Sequence, residues 1–325
     1  MPLPFVLKEK LRLLTAGRVR FDEPMRFHTT FHIGGPAEIW AEPSVPEELR
    51  QLLRVAGEEG LEITVIGGGA NLLVGDGGIP GLVLHLGGPA FQGFRRGGEG
   101  AVAGAGLPLE RLIQRSREQG LSGAEFLAGV PGRVGGSVRM NAGTHDEEGR
   151  THSFSDILHS VTVMDRDGEI RILSRDQMRF AYRSSELGSR IVLEAALSLI
   201  PDDPAAVAQR IQRLWAFKKR TQDWTAPSAG CIFKNPIRQK TPGEEVHSAG
   251  WLIDRAGLKG RRIGGAAVSR VHANFILNQG TAQAADVLKL IEEIQEQVRD
   301  KFAVDLELEV QVLPKPVQAL AGAIP

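Results

Sequence analysis

Arg183, Cys231 and Glu309 are the side chains of this sequence best suited to moving a proton or holding a developing negative charge, and they lie far apart along it. Arg183 stands beside the only tyrosine, in Tyr182-Arg183-Ser184-Ser185. An arginine fork suits a carboxylate or enolate oxygen, although a surface arginine after a strand fits this motif at least as well when it stands alone. Cys231 is the only cysteine, in Pro227-Ser228-Ala229-Gly230-Cys231-Ile232-Phe233-Lys234-Asn235-Pro236. A thiol with a pKa of about 8.5 is a competent proton donor near neutral pH. A lone cysteine is usually a small buried hydrophobe, but one that follows Gly230 and precedes Lys234-Asn235 belongs to a loop. Glu309 lies in Asp305-Leu306-Glu307-Leu308-Glu309-Val310-Gln311-Val312-Leu313. Period two puts Asp305, Glu307, Glu309 and Gln311 on one strand face, which solvation explains equally well, so the pattern does not single out Glu309.

The stretch around which the chain is organised is Gly129-Val130-Pro131-Gly132-Arg133-Val134-Gly135-Gly136-Ser137-Val138-Arg139-Met140-Asn141-Ala142-Gly143. So many glycines require either positive φ at several points or a bulky group lying directly on the backbone. Successive N–H groups in such a turn form a nest for phosphate oxygens, and a helix beginning inside the run would add its dipole. A single Gly pair is more often a tight loop without a ligand; here Asn141-Ala142-Gly143 adds a second small-residue turn at once. The pattern is not G-x-G-x-x-G, because Leu72 and Leu109 replace the last glycine after Gly67-Gly68-Gly69 and Gly104-Ala105-Gly106. Three glycine turns, each after an apolar run, point instead to one extended diphosphate cofactor gripped at several places.

With 325 residues and 42% hydrophobic content the chain is long enough for two or three domains. Its 39 basic and 39 acidic residues cancel, so no global field draws it to nucleic acid or anionic lipid, and any anion must be held locally. One cysteine excludes an intrachain disulfide and suits a reducing compartment. No secretory leader or membrane-length apolar run is visible, so a soluble cytoplasmic protein is expected. His28 and His32 are spaced i,i+4, but no carboxylate or thiol cluster supports a metal.

The periodicities predict helices over 46–60, 107–118, 205–220 and 282–302, with an amphipathic segment inside 1–20. Strands are expected at 38–41, 63–66, 82–86, 101–103, 191–200 and 306–313, and a hairpin over 160–173 around Asp165-Arg166-Asp167-Gly168. Pro201-Asp202-Asp203-Pro204 marks a boundary into a third region, and 314–325 is expected to be disordered.

Taken together, Thr30-Phe31-His32-Ile33-Gly34-Gly35-Pro36-Ala37, the stretch 67–73, the run 129–143, Tyr182-Arg183-Ser184-Ser185, the loop 227–236, His272-Ala273-Asn274-Phe275 and Leu308-Glu309-Val310 resemble the UDP-N-acetylenolpyruvoylglucosamine reductases, the flavoenzymes of the second step of peptidoglycan precursor synthesis. The resemblance spans roughly residues 29–313. It implies an α+β chain with a two-lobed FAD-binding fold of the vanillyl-alcohol-oxidase type (lobes 1–80 and 81–203) and an α+β substrate-binding domain at 204–313. It implies FAD held by Gly67, Gly68, Gly69, Ala70, Asn71, Leu72, Gly129, Val130, Pro131, Gly132, Gly135, Gly136, Asn141, Ala142 and Gly143, with NADPH as reductant. Arg183 and Glu309 would stabilise the enolate and Cys231 would protonate the neighbouring carbon. Tyr182, Lys218, Lys234 and Asn235 would contact the UDP-sugar, with Arg220 as a further cation for its diphosphate.

The sequence departs from the family pattern in two places. Cys231 replaces the usual serine, and Gln311 replaces an arginine. A tyrosine-bearing loop is missing between Ile200 and Ser228, as in the shorter branch of the family. The resemblance implies no metal, nucleic-acid, membrane or obligate protein partner. The rival expectations are an alcohol oxidase of the same fold and a non-catalytic nucleotide-binding protein.

Overall fold

In the segment Pro46–Glu58, Pro46 opens the helix, Glu47 and Glu48 fill its first turn, and Leu49, Leu52, Leu53 and Ala56 form one buried stripe. The same logic, at larger scale, builds the computed structural model of the chain, which describes residues 3–98, 100–236 and 247–314. The chain forms two compact units, each discontinuous in sequence. One comprises the residues up to Glu23 with Glu38–Gly68 and Gly81–Gln222; the other comprises Pro24–Ala37, Gly69–Pro80 and the residues from Asp223 onward.

The first unit carries one four-stranded and one five-stranded sheet, beside smaller two-stranded ones. In the four-stranded sheet the order is Val19–Pro24, Pro36–Ala41, Ile79–His85, Ile63–Ile66, and the last two strands are parallel with Ile63 opposite Leu82. In the five-stranded sheet the order is Ile170–Ser174, Leu158–Met164, Ile191–Ser198, Gly100–Gly104, Phe94–Gly97, antiparallel throughout. The expected hairpin is there, closed by Asp165 N–H donating to Glu169 O and by Gly168 at φ +87°. The helix Pro204–Thr221 follows Pro201-Asp202-Asp203 directly and packs on the Glu125–Leu127 turn and on the helix Leu109–Glu118, within this unit.

The second unit has its own core. Val287, Leu290, Ile291, Ile294 and Val298 make one face of the helix Ala284–Phe302, buried with Phe31, Leu73, Ile232 and Phe233. Asp76 accepts from Ala284 N–H and Ala285 N–H, capping that helix, and Ala303 ends it in the left-handed region. A three-stranded sheet runs Arg262–Ile263, Ala266–Val268, Ile276–Asn278. Leu252 and Ile253 lie in the helix Ala249–Arg255.

The expected strand over 306–313 is corrected: only Gln311–Leu313 forms one, parallel to Leu72–Val74. Glu309 N–H and Val310 N–H both turn to the Ile232 carbonyl, which breaks the alternation. Asp305 and Glu307 therefore face solvent, while Glu309 is 6% exposed. The tail expected to be disordered lies, apart from Pro314, outside the described residues.

Candidate active site

In the first unit the three glycine turns that the sequence keeps apart come together. A Cβ on Gly68 would lie 2.8 Å from Gly132 Cα, and one on Gly67 would lie 3.7 Å from Gly136 Cα, so the turn 67–68 packs backbone against backbone on the run 129–143. The turn 104–106 supports the run from another side. Gly135 N–H donates to Ala105 O at 2.8 Å, Val134 N–H to Leu107 O at 3.0 Å, and a Cβ on Gly135 would meet Ala105 Cβ at 2.9 Å. Gly129 and Gly132 have φ of +72° and +129°, the left-handed region that glycine alone enters freely.

Two observations fit this backbone to a dinucleotide. The N–H groups of Gly68, Gly132 and Gly136 donate to no acceptor among the described residues. A Cβ on Gly136 would meet nothing within 4 Å. Unspent donors beside open space are what a diphosphate needs. The helix that the run enters, Val134–Arg139, has only six residues, so an anion here depends on the amides of the turns and much less on a helix dipole than the sequence suggests.

The end of the run holds Arg183. Phe180–Ala181 and Ser184–Ser185 form a hairpin whose turn is Tyr182-Arg183. Asn141 Nδ2 donates to Ala181 O (3.2 Å), Asn141 Oδ1 accepts from Ser155 N–H (3.0 Å), and Ser185 Oγ donates to Arg139 O (2.8 Å). Asn141 thus ties the hairpin to the run. Arg183 sits at φ +55°, sparse for an arginine, with its guanidinium 5.1 Å from the Tyr182 ring centroid. Its Nη1 is 3.3 Å from where a Gly143 Cβ would be.

Lys218 is placed differently from a solvated phosphate partner. It is 2% exposed, its Nζ donates to Phe126 O at 3.4 Å, and burial pushes its pKa down to about 8. Trp215 and Lys218 cover Gly129, where a Cβ would lie 2.4 Å from Trp215 Cζ3 and 3.1 Å from Lys218 Cδ. Arg220 lies exposed at the end of the same helix.

In the second unit, the segments that carry Cys231 and Glu309 are joined through the carbonyl of Ile232, the residue after Cys231. Cys231 bridges to Phe275, Ile232 O accepts from Glu309 N–H at 2.8 Å, and Phe233 bridges to Leu308. Asn274 fixes this arrangement. Its Oδ1 accepts from Phe233 N–H, its Nδ2 donates to Phe233 O, and its own carbonyl takes Ile232 N–H. The sequence shows no role for Asn274; the available signal is an amide in an otherwise apolar stretch, where a buried Asn must be satisfied.

The turn 69–72 is laced to the same place. Asn71 Nδ2 donates to Glu309 O, Gln311 N–H to Asn71 O, Thr30 N–H to Gly69 O, and Thr30 Oγ1 to Ser228 O. A Cβ on Gly69 would lie 2.0 Å from His28 O. Ala70 and Leu72 are half-buried. Gln311 folds its amide back to Glu309 O at 3.4 Å. Lys234 Nζ pairs with Glu307 at 3.1 Å, and Asn235 Oδ1 accepts from Ala249 N–H. Among the described residues no group of His, Cys, Asp or Glu is arranged to hold a metal ion, and no helix is long and apolar enough to cross a membrane.

Residues 222–313 match the family model described as UDP-N-acetylenolpyruvoylglucosamine reductase, C-terminal domain, and residues 37–174 match an FAD binding domain. A reductase of that name from Halalkalibacterium halodurans is 39% identical over 94% of this chain and 98% of its own length. One from Geotalea uraniireducens is 41% identical over 94% and 97%. This chain belongs to the UDP-N-acetylenolpyruvoylglucosamine reductase family. The crystal structure of the reductase from Thermus caldophilus superimposes with a TM-score of 0.76 at 37% identity, over 91% of this chain and 99% of that one. The α+β class and the FAD-binding fold expected from the motifs are both present, and the matches support a reductase over an alcohol oxidase of the same fold.

Gly136→Ala tests whether the open space is a ligand's. Alanine in a helix is favoured over glycine by about 0.5–1 kcal/mol, so the apo-protein should keep or gain stability. FAD affinity, followed by flavin fluorescence, should fall at least about tenfold, which is 1.4 kcal/mol; unchanged affinity would show that the space belongs to solvent.

Lys218 gives a pH signature. Its folded pKa lies below the unfolded one, so the unfolded chain binds more protons between about pH 8 and pH 10.5, and stability must rise with pH across that window. Relative to Lys218→Met, the wild type should gain roughly 3 kcal/mol in denaturant unfolding between neutral pH and the top of the window. Parallel profiles would mean that the amine is not desolvated.

Proposed function

We propose that this chain is the FAD-dependent, NADPH-oxidising enzyme that converts UDP-N-acetylglucosamine enolpyruvate to UDP-N-acetylmuramate, in peptidoglycan precursor synthesis. The observation that carries the proposal is the pair of glycine turns, packed on each other, with unspent N–H groups at Gly68, Gly132 and Gly136. In this proposal Gly67, Gly68, Gly69, Ala70, Asn71 and Leu72 hold FAD together with residues 129–132, 135–136 and 141–143. The functional division proposed is two FAD lobes, 1–80 and 81–203, and a substrate domain, 204–313; the compact units divide the chain differently, with Pro204–Thr221 in the first and Pro24–Ala37 and Gly69–Pro80 in the second. The enzyme works in the cytoplasm on a small UDP-sugar, without an obligate protein partner.

Bound FAD supplies hydride transfer, from NADPH to the enolpyruvyl methylene carbon. The chain's own residues do the rest. Arg183 presents a guanidinium to the carboxylate and to the enolate oxygen that develops beside it, and its fixed backbone and Tyr182 support reduce the reorganisation needed as that charge appears. Glu309, placed by Asn71 and Ile232, shares the stabilisation of the enolate. Cys231 gives its thiol proton to the neighbouring carbon, and solvent restores it. Hydride and proton together add two hydrogens across the double bond. Tyr182, Lys218, Lys234 and Asn235 hold the UDP-sugar.

Separating the two half-reactions tests these roles. Cys231→Ala should leave NADPH reduction of the flavin within about twofold and slow reoxidation by the enolpyruvyl sugar about 100-fold or more, the size expected of a positioned proton donor. Cys231→Ser should keep turnover. Undiminished reoxidation in Cys231→Ala would remove the thiol from the mechanism. Oxygen uptake with an alcohol, with no NADPH oxidation on adding the UDP-enolpyruvyl sugar, would instead establish an oxidase.

A further inference from the structure

An aspartate in a tight turn is ordinary, and its usual duty is to accept backbone N–H groups a few residues on. Asp146, in the turn between the strands Gly143–His145 and Thr151–Ser153, does that and more. Its Oδ1 accepts Glu148 N–H at 3.0 Å and Arg150 N–H at 2.9 Å. Its Oδ2 accepts side chains, Arg150 Nε at 2.7 Å and His152 Nε2 at 3.0 Å. Glu147, Glu148, Gly149 and Arg150 around it are exposed, whereas Asp146 is buried. The hydrogen bond from His152, with those from Arg150, holds its carboxyl well below the usual carboxylate range, so it stays an anion that accepts from all four donors. His152 carries this hold into the body of the unit, because its ring stacks on buried Phe126 with centroids 5.7 Å apart and planes 25° apart.

The foot of the same hairpin lies against Arg183. Gly143 pairs with Ser153 across the two strands. A Cβ on Gly143 would meet His152 O at 2.5 Å, and Ser153 Oγ and Arg183 Nη1 at 3.3 Å each. The guanidinium therefore rests on the hairpin where glycine leaves room for it. The backbone of Arg183 is tied to the adjoining residues, through Asn141 Nδ2 to Ala181 O, and Phe154 N–H donates to Ala142 O at 2.8 Å just past the hairpin. A long side chain keeps one place only where its surroundings fix it, since ordering it costs rotamer entropy.

We infer that Asp146 is a positioning residue for Arg183: by closing the hairpin 143–153 it fixes the floor on which the guanidinium rests. The inference rests on the enolate-stabilising role proposed for Arg183.

The test uses the FAD-saturated enzyme and separates its two half-reactions. Asp146→Asn keeps the shape but turns an NH2 group toward donors. It should leave flavin reduction by NADPH within about twofold and slow reoxidation by the enolpyruvyl sugar at least about tenfold, since an ångström of misplacement can cost about a hundredfold. Placed in an Arg183→Gln background, Asp146→Asn should slow reoxidation no further, because the group it positions is already gone. If Asp146→Asn lowers the melting temperature, His152→Phe, which keeps a ring on Phe126 and removes the hydrogen bond to Asp146, carries the same comparison. Reoxidation at the wild-type rate in both variants, or losses that add in the double variant, would overturn the inference. Arg183→Gln that reoxidises as fast as wild type would instead overturn the reading of Arg183 itself.

Discussion

The contact between the Gly68 and Gly132 backbones is the constraint on which the first unit's site depends. At 2.8 Å from a would-be Cβ to Gly132 Cα there is no room for any side chain on Gly68. Glycine gives up more backbone entropy on folding than other residues, about 0.5–1 kcal/mol each in regular structure. A chain that places so many at one spot needs a rigid frame to fix them. The antiparallel sheet and the hydrogen bonds to the turn 104–106 are that frame, and they leave the N–H groups of Gly68, Gly132 and Gly136 without an acceptor among the described residues, with open space beside Gly136.

The second unit solves a different problem, the placing of a thiol and a carboxylate from segments almost eighty residues apart, 231 and 309. The Ile232 carbonyl is the shared point, accepting from Glu309 and Val310, and Asn274 locks the other edge of the Cys231 segment through three hydrogen bonds. This arrangement makes Glu309 unlike its neighbours. Glu307 faces solvent and pairs with Lys234, whereas Glu309 turns inward with its carbonyl held by Asn71.

Much of this was legible in the residues. The helices Pro46–Glu58 and Ala284–Phe302 and the hairpin around Asp165–Gly168 follow from local periodicity and turn chemistry, which need only near neighbours. The glycine run pointed to a ligand, but packing accounts for much of it, since a Cβ on Gly129, Gly135 or Gly143 would meet Trp215, Ala105 or His152 O, whereas Gly136 opens onto free space. What stayed hidden is whatever depends on long-range hydrogen bonds. The turning of Glu309 is caused by a carbonyl far back in the sequence, the clamp at Asn274 uses both faces of one amide, and the burial of Lys218 depends on the segment around Phe126.

The claim that the glycine turns clasp a flavin serving an enolpyruvyl reduction is tested most directly by an anaerobic spectral titration of the purified protein. The account predicts flavin absorption bands that NADPH bleaches and that stoichiometric UDP-N-acetylglucosamine enolpyruvate restores. Bands that stay bleached after the enolpyruvyl sugar is added, or a protein with no flavin that acquires none when FAD is supplied, would contradict it.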